Sequence, residues 1–596
     1  MPSEVRPPCK ERILLAACTL AAVLGLAGCG TTREAMSGRV SASRDASEEA
    51  ASSLEKAIAA SRRAGALPGR TALSAWIECA VTAHAAMADA DDGQAPAAAA
   101  LATRCSESFL TQALRFRDAW SEGEQAVEGT GIFLELRNAS PNLGATLRIV
   151  PANDVSMSRF GGRRHSKPGF GVPVALISPR CTHAPACRLL PPSGVFRSAT
   201  AWIQAGPGGG PPHLVLAHPV RSGSIRTGAR TWVLAMDTSA FYAAGLRDSP
   251  IRRLSIWGLL GGQELGRRAG VYLLEDYDPQ KRPLVMVHGL GSSPLTWASL
   301  SNAVWADPEL RNRYQVWQLV YPTNDPVLVA RLRVQDHLDA AWAVLDPAGD
   351  DAARRGMVLV GHSMGGVVAR LLTVDSGDAL WRTAFLRPPA ELVGDGEDLA
   401  ALERMFRFRP YPGVRRATFL AAPHRGSPAA ESLAGRLAHR LVGRRTPEIR
   451  ALRRIARQNA AAVPEALRKT YLRGSINSIS TLRGSQPVMR VARSLPPAPG
   501  IPYHSIAGHL PGTVPPSDGV VPVHSALLEG SASMLVVPSR HNVHEHDLAI
   551  AEVVRILHED REASIRAPGR AHADGPQAAR LQPEEGSTPA TLRRQL

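Results

Sequence analysis

The stretch Met357-Val358-Leu359-Val360-Gly361-His362-Ser363-Met364-Gly365-Gly366 decides the fold of this chain. Its first four residues are apolar without interruption, which predicts a strand buried on both faces, as in a parallel sheet. The glycines permit a tight turn, and the apolar residues of 367–372 predict a helix directly after it. This order of strand, turn and helix pushes the Ser363 hydroxyl out over the edge of the sheet.

The same alternation continues on both sides of this stretch. Other continuous apolar runs predict buried strands, and apolar spacing over Val327–Leu345 predicts an amphipathic helix. Alternating strands and helices are typical of a parallel α/β sheet. The predicted strands are 284–287, 315–320, 357–360, 417–421, 505–507 and 534–537, and a closing helix is predicted for about 546–557.

Gly361-His362-Ser363-Met364-Gly365 is a G-x-S-x-G nucleophile elbow, and the strand and helix around it supply the context that this motif requires. With this elbow, residues 281–558 resemble an α/β-hydrolase of the lipase and esterase kind. The resemblance implies an α/β fold with a mostly parallel sheet and helices on both faces. It also implies an acyl-serine mechanism at Ser363, and the chain order Ser, then Asp or Glu, then His.

The resemblance places the acid in a loop after a later strand. Pro516-Ser517-Asp518-Gly519-Val520-Val521-Pro522 is similar to the acid loop of many lipases, so Asp518 is assigned as the acid. A simple Asp-Gly turn is the alternative interpretation of this loop. Asp375 and Asp395 follow the elbow too soon to be good rivals.

The resemblance places the base after the last strand. His541 is the first histidine beyond that strand and is assigned this role, with His544 and His546 as its alternatives. In this assignment His541 takes the proton of Ser363 and returns it to the leaving group. Asp518 holds the required tautomer and stabilises the imidazolium.

The tetrahedral intermediate of such a reaction needs two backbone donors. The resemblance assigns them to the N–H groups of Met364 and Leu290, because His288-Gly289-Leu290-Gly291 is similar to the oxyanion loop of lipases. His288 and His362 are interpreted as positioning residues. His424 is interpreted as part of a structural turn that lipases share.

Residues from about 425 to 500 form an insertion that is too long for a plain connection. It contains an amphipathic segment with Leu433, Leu437 and Leu441, and it is rich in arginine. In lipases an insertion here forms a lid or a wall for the acyl chain. A static cap that only shapes the pocket is the alternative, and the sequence does not favour either. The arginines are Arg444, Arg445, Arg450, Arg453 and Arg454.

The N-terminus carries Arg6, Lys10 and Arg12 before an apolar run over 13–27, which is shorter than the ~20 residues of a spanning helix. It predicts a signal peptide over 1–28. Leu26-Ala27-Gly28-Cys29 resembles the lipobox of bacterial lipoproteins, which implies acylation of Cys29 and a stable membrane anchor. Gly30 favours the outer membrane of the cell envelope, facing the periplasm or the exterior. An ordinary secreted protein is the alternative.

Four cysteines remain after Cys9, Cys18 and Cys29 are set aside. An even number in an exported chain predicts two disulfides, and sequence proximity favours Cys79–Cys105 and Cys181–Cys187. A metal site at Cys181, His183 and Cys187 is not favoured because a fourth ligand is missing.

At 596 residues the chain is too long for one compact core, so two folded domains are expected. The predicted parts are a tether over 29–50, an N-terminal domain over 51–276, a hydrolase domain over 277–559 and a disordered tail over 560–596. Within the N-terminal domain, helical spacing changes at about residue 131 to short alternating runs that predict strands.

Composition restricts the function further. The chain is 44% apolar and 20% charged, which is typical of a globular protein, and its net charge is +16. No basic run is interleaved with aromatic residues, which argues against nucleic acid as a partner. The sequence therefore predicts a lipid-anchored envelope serine hydrolase that acts on a lipid-like acyl ester, without a metal or other cofactor. The alternatives are an acyltransferase or thioesterase with the same residues, and a non-catalytic envelope scaffold.

Overall fold

The computed structural model describes residues 53–89, 91–160, 162–247, 268–428, 446–474 and 476–566. The predicted signal peptide, Cys29, the tether, the insertion leucines and residues 567–596 lie outside the described residues. Two large sheets, of six and seven strands, organise the described chain.

Strands and helices alternate unevenly along the chain, with most of the short strands in its first half. The strands are β1 (Gly123–Val127), β2 (Thr130–Arg137), β3 (Arg148–Pro151), β4 (Ser166–Lys167), β5 (Val172–Ser178), β6 (Val195–Gln204), β7 (His213–Ala217), β8 (Ser224–Thr227), β9 (Arg230–Val233), β10 (Met236–Asp237), β11 (Gly270–Leu273), β12 (Arg282–Val287), β13 (Tyr314–Val320), β14 (Met357–His362), β15 (Val414–Leu420), β16 (Tyr503–Gly508) and β17 (Ser533–Val537). The α-helices are 53–66, Leu73–Asp89, Ala95–Ala113, Pro219–Ser222, Ala240–Arg247, Ala298–Ala306, Pro308–Arg313, Val327–Leu345, Met364–Leu371, Ala379–Ala384, Gly396–Phe406, Pro447–Gln458, Glu465–Arg473, Ser478–Thr481, Pro487–Ser494, Val523–Ala526 and Asp547–Arg566.

The first sheet has the strand order β1-β2-β7-β6-β5-β3, and all of its neighbouring pairs are antiparallel except β2 and β7. The helices Leu73–Asp89 and Ala95–Ala113 pack on one face through small buried side chains. A disulfide between Cys79 and Cys105 joins these two helices, and a second one joins Cys181 to Cys187. The structure therefore contains both predicted disulfides.

The second sheet has the order β11-β13-β12-β14-β15-β16-β17. Its strands are parallel except β11, which pairs antiparallel with β13 at one edge. Each of the six predicted apolar runs overlaps one of the strands β12 to β17. The predicted fold class, a helical and then strand-rich region followed by a mostly parallel α/β sheet, is confirmed.

The helix Ala240–Arg247 lies between the two sheets. Its Tyr242 hydroxyl accepts a hydrogen bond from Gln318 Nε2 at 2.7 Å, and both Phe241 and Tyr242 contact the ring of Trp305. On its other side a Cβ atom at Gly245 would overlap the ring of Phe196, so only glycine allows this close approach. The N-terminal domain is therefore packed directly onto the second sheet.

None of the helices in the described ranges is long and apolar enough to cross a bilayer.

The boundary predicted at residue 560 is wrong, because the closing helix Asp547–Arg566 continues beyond it. Asp560 is buried, and its carboxylate accepts hydrogen bonds from Arg282 at 2.6 Å, from the Tyr314 hydroxyl at 2.7 Å and from Arg416 at 3.2 Å. These partners lie far away in the sequence, and no local pattern reveals them. The polar composition around Asp560 alone is typical of a disordered tail, which explains the wrong boundary.

Replacing Asp560 with alanine tests this anchor. The change leaves two arginines without their buried carboxylate, which costs about 3–5 kcal/mol for a broken buried pair. We expect the free energy of unfolding, measured with denaturant, to fall by about that amount. Glu391→Ala at an exposed site is the control, and equal stabilities of the two variants would contradict the prediction.

Candidate active site

Ser363 lies on the turn between β14 and the helix Met364–Leu371, with φ 55° and ψ −126°. This conformation is strained for a residue with a side chain and costs on the order of 1–3 kcal/mol. The neighbouring glycines make the turn possible. A Cβ at Gly361 would lie 2.5 Å from the Gly365 carbonyl oxygen, and one at Gly366 would lie 2.5 Å from Ala422 Cβ.

The structure brings the three predicted side chains together. The Ser363 hydroxyl lies 2.8 Å from His541 Nε2, and His541 Nδ1 lies 2.7 Å from Asp518 Oδ2. With the proton on Nδ1, the ring donates to Asp518 and accepts from Ser363. This is the arrangement of a nucleophile, a base and an orienting acid.

Asp518 is 2% exposed, and its carboxylate is held at both oxygens. Its Oδ1 accepts from the backbone N–H groups of Val520 at 2.8 Å and Val521 at 2.7 Å, which leaves Oδ2 for the histidine. The Asp-Gly-Val-Val sequence therefore folds into a loop that aims one carboxylate oxygen at His541.

The rival acids make local contacts instead. Asp375 accepts a hydrogen bond from Gly377 N–H at 2.8 Å, and Asp395 caps the helix Gly396–Phe406. These bonds are typical of turn and helix-capping residues. The structure therefore brings neither of them to His541.

The loop after β12 lies directly against the nucleophile. A Cβ at Gly289 would lie 2.9 Å from Ser363 Cβ, so a side chain here would displace the serine. Thr323 Oγ1 accepts from Gly291 N–H at 3.2 Å, and the Tyr321 hydroxyl donates to the His288 carbonyl at 2.7 Å. Within the described chain, the N–H groups of Leu290 and Met364 donate no hydrogen bond, so both remain available to a ligand oxygen.

Three further histidines surround the site and are neutral at pH 7. Burial lowers the pKa of His288 to about 4, and burial together with nearby His541 lowers the pKa of His544 to about 3. Burial, with His544 and His541, also holds the pKa of His362 well below its usual value. His362 Nε2 donates to the His541 carbonyl oxygen at 2.8 Å, which fixes the loop of the base.

The remaining histidine alternatives are also located. His544 packs edge-on against Trp297 and His362, and His546 Nδ1 accepts from Leu548 N–H at 3.3 Å. His424 is buried in a turn, and its own backbone N–H donates to the Ser525 carbonyl oxygen at 3.0 Å. Only His541 of these residues is hydrogen-bonded to both Ser363 and Asp518 within the described chain.

The insertion is attached to the helix that follows Ser363. Arg370 of that helix is fully buried and donates to the carbonyl oxygens of Ala492 at 2.8 Å and Leu495 at 3.0 Å. This fixes the last insertion helix, Pro487–Ser494, at the C-terminal part of the helix Met364–Leu371. Because residues 429–445 lie outside the described residues, both interpretations of the insertion, lid and static cap, remain open.

Comparisons with known proteins find one family model and several solved structures that are similar to this chain. Residues 284–572 match the model of the alpha/beta hydrolase family, a little under half of the chain. The mature lipase BlEst2 of Bacillus licheniformis is 18% identical, with a TM-score of 0.28 over 48% of this chain and 94% of that chain. Esterase B of Lactobacillus rhamnosis is 13% identical, with a TM-score of 0.27 over 50% of this chain and 80% of that chain.

A hydrolase of Pseudomonas aeruginosa is 15% identical, with a TM-score of 0.24 over 50% of this chain and 94% of that chain. No curated protein matches this chain. The family match includes the strands β12 to β17 of the second sheet, and these strands with their helices have the fold of an α/β-hydrolase domain. The roles of Ser363, His541 and Asp518 are inferred from their hydrogen bonds and not from these comparisons.

The buried neutral histidines predict a loss of stability in acid. The pKa of His544 is about 3 in the folded chain, so below its ordinary value of 6.5 the unfolded chain binds more protons. Between pH 7 and pH 5 this single group should remove about 2 kcal/mol of the free energy of unfolding.

We therefore expect His544→Phe to lose about 2 kcal/mol less stability than the wild type over this interval in denaturant titrations. His183→Phe, at an exposed position, should keep the wild-type dependence. Parallel curves for His544→Phe and the wild type would show that the residue titrates as freely as in the unfolded chain.

Proposed function

We propose that the protein is a serine hydrolase that cleaves carboxylic esters through an acyl-Ser363 intermediate. The observation that carries this proposal is the pair of hydrogen bonds from Ser363 to His541, at 2.8 Å, and from His541 to Asp518, at 2.7 Å. As Ser363 Oγ attacks the carbonyl carbon, His541 takes its proton and then gives it to the leaving alcohol. Water repeats these steps and releases the acid.

The negative charge that develops on the carbonyl oxygen also needs hydrogen-bond donors. The N–H groups of Leu290 and Met364 meet that need, because the loop of Leu290 lies against Ser363 and Met364 follows it directly. Such donors are fixed before the reaction and stabilise the oxyanion without reorganising. Burial keeps His288, His362 and His544 neutral, so the imidazolium of His541 is the new positive charge that Asp518 compensates.

The proposed substrate is an ester at a lipid surface. Residues 446–494 contain ten arginines and lysines but only two glutamates. The net charge of this segment is therefore +8, half of the +16 of the whole chain. The exposed Leu386 and Val393 are bonded to this segment through Ala462 and Asn459. Cationic side chains beside exposed apolar ones fit an anionic membrane surface. We call this face the cap surface, and an acylated Cys29 in the bacterial envelope would hold it near lipid.

An acyltransferase or a thioesterase would use the same acyl-serine, and the acceptor that releases the acyl group distinguishes them. A non-catalytic scaffold would not need the two hydrogen bonds at Ser363 and His541. Product analysis in water identifies a hydrolase by the free acid that it forms.

The catalytic assignment is tested with p-nitrophenyl esters and a fluorophosphonate probe. We expect Ser363→Ala to lose all labelling and Asp518→Asn to lose roughly 10⁴-fold in kcat, because the wrong histidine tautomer can no longer accept the serine proton. Asp375→Asn, which removes a carboxylate outside this set, should keep wild-type rates. A wild type that neither labels nor hydrolyses any ester would refute the proposal.

The cap surface is tested by binding to vesicles in a Cys29→Ser background, which removes acylation. We expect tight binding to phosphatidylglycerol vesicles that weakens with salt. Changing Arg457, Arg468, Lys469 and Arg473 to glutamine should weaken it at least ~100-fold, since each charge near the surface contributes about 1 kcal/mol.

The matched control changes four exposed arginines of the N-terminal domain, Arg62, Arg104, Arg115 and Arg226, to glutamine. This variant should bind like the parent protein. Equal weakening of both variants would mean that net charge alone, rather than the cap surface, drives binding.

A further inference from the structure

A cavity of about 560 Å³ lies at the junction of the two domains. One wall belongs to the N-terminal domain and comes from β6, β10 and the helices Pro219–Ser222 and Ala240–Arg247. The other wall belongs to the hydrolase domain and comes from the segment between β11 and β12 and from the helices Ala298–Ala306 and Pro308–Arg313. Its volume is in the range of small-molecule sites. We call this cavity the junction pocket.

Much of the lining of the junction pocket is apolar. The rings of Phe241, Tyr277 and Trp305 form part of it. The Tyr277 hydroxyl donates to Asp351 Oδ2 at 2.5 Å, and the indole N–H of Trp305 donates to Glu275 Oε1 at 2.7 Å. Because the polar atoms of these two rings are already hydrogen-bonded, the rings offer mainly apolar surface to a ligand.

The two carboxylates at the centre of this lining are engaged by the protein itself. Asp276 accepts at Oδ1 from Arg197 at 2.8 Å and at Oδ2 from Arg221 at 2.6 Å. Glu275 uses Oε1 for the indole, and its Oε2 lies 3.8 Å from Lys281 Nζ. These carboxylates therefore have little capacity left to bind a cation.

Donors in the lining, by contrast, are left unused within the described chain. Lys281 Nζ makes no hydrogen bond, and Arg311 uses only Nη1, which donates to the Trp305 carbonyl oxygen at 2.5 Å. His218 Nδ1 accepts from the backbone N–H of Arg221 at 3.2 Å, so the ring carries its proton on Nε2. Burial, together with nearby Arg221, lowers the pKa of His218 to about 4, and the ring is neutral at pH 7.

The formal charges of the lining favour the same kind of ligand. Four basic side chains accompany three carboxylates, which leaves one positive charge in excess. Asp278, the third carboxylate, accepts from the backbone N–H of Gln280 at 2.9 Å. Apolar walls with unused donors and one excess positive charge suit an organic anion with an apolar body. The basic residues are Arg197, Arg221, Lys281 and Arg311, and the acids are Glu275, Asp276 and Asp278.

We propose that the junction pocket is a second ligand site, separate from the site at Ser363, and that it binds an amphiphilic monocarboxylate such as a medium-chain fatty acid. The donors for the carboxylate are Lys281 and Arg311 on the hydrolase wall, and the rings of Phe241 and Trp305 pack against the chain. A single carboxylate matches the single excess charge. The ligand contacts both domains and therefore stabilises the folded chain. This inference does not depend on the proposed esterase activity.

Calorimetric titration of the full chain with octanoate and with octanol tests this proposal, because the two molecules differ only at the head group. We expect octanoate to bind at least about tenfold more tightly than octanol, as for hydrogen bonds between charged groups. Lys281→Gln should remove most of this preference, whereas Lys281→Arg keeps the charge and should retain it. Lys56→Gln, at an exposed position, is the matched control and should bind like the wild type.

A second variant tests the location on the opposite wall. Val220 lines the pocket with a side chain that is 39% exposed, so Val220→Trp fills the space without disturbing the core. We expect octanoate to raise the Tm of the wild type and to leave that of Val220→Trp unchanged. Octanoate that binds Val220→Trp as tightly as the wild type would be held elsewhere and would overturn the assignment. Equal affinities for octanoate and octanol, or no binding of octanoate to the wild type, would overturn the ligand class.

Discussion

The close contact between the nucleophile turn and the loop after β12 is the constraint on which the site depends. A Cβ at Gly365 would overlap the backbone of Val287, and one at Gly289 would press on Ser363. Because both positions lack side chains, the positive φ of Ser363 is accommodated and its hydroxyl reaches His541 at 2.8 Å. The same contact places the Leu290 loop beside the serine, so the nucleophile and an oxyanion donor are fixed by a single packing arrangement.

Differences in burial and in charged partners give the histidines of the site different roles. An imidazole that must accept a proton needs a partner for the positive charge, and His541 has one in Asp518. His362 has no carboxylate partner among the described residues, and the exposed Glu545 carboxylate lies 3.8 Å from His544 Nε2, too far for a hydrogen bond. Burial therefore keeps both histidines neutral. His362 can therefore hold the His541 carbonyl oxygen without competing for the serine proton.

Much of the hydrolase domain could be predicted because its parallel strands are buried on both faces and are therefore uniformly apolar. The edge strand β11 has only four residues and follows a change of domain, so no periodicity marks it. Asp560 was misplaced because its partners Arg282 and Arg416 are far away in the chain. The elbow and the acid loop carry local motifs, whereas the contacts of Tyr242 with Gln318 and of Gly245 with Phe196 join residues that no local pattern connects.

The packing between the domains makes the N-terminal region part of the active-site environment. Tyr242 bonds to Gln318 of β13, and Gly245 lets the same helix approach Phe196 of β6. Both contacts are buried, so the N-terminal sheet is held against the face of the hydrolase sheet that carries the closing helix and the His541 loop. The packing that supports the loop of His541 therefore includes buried side chains of the N-terminal domain.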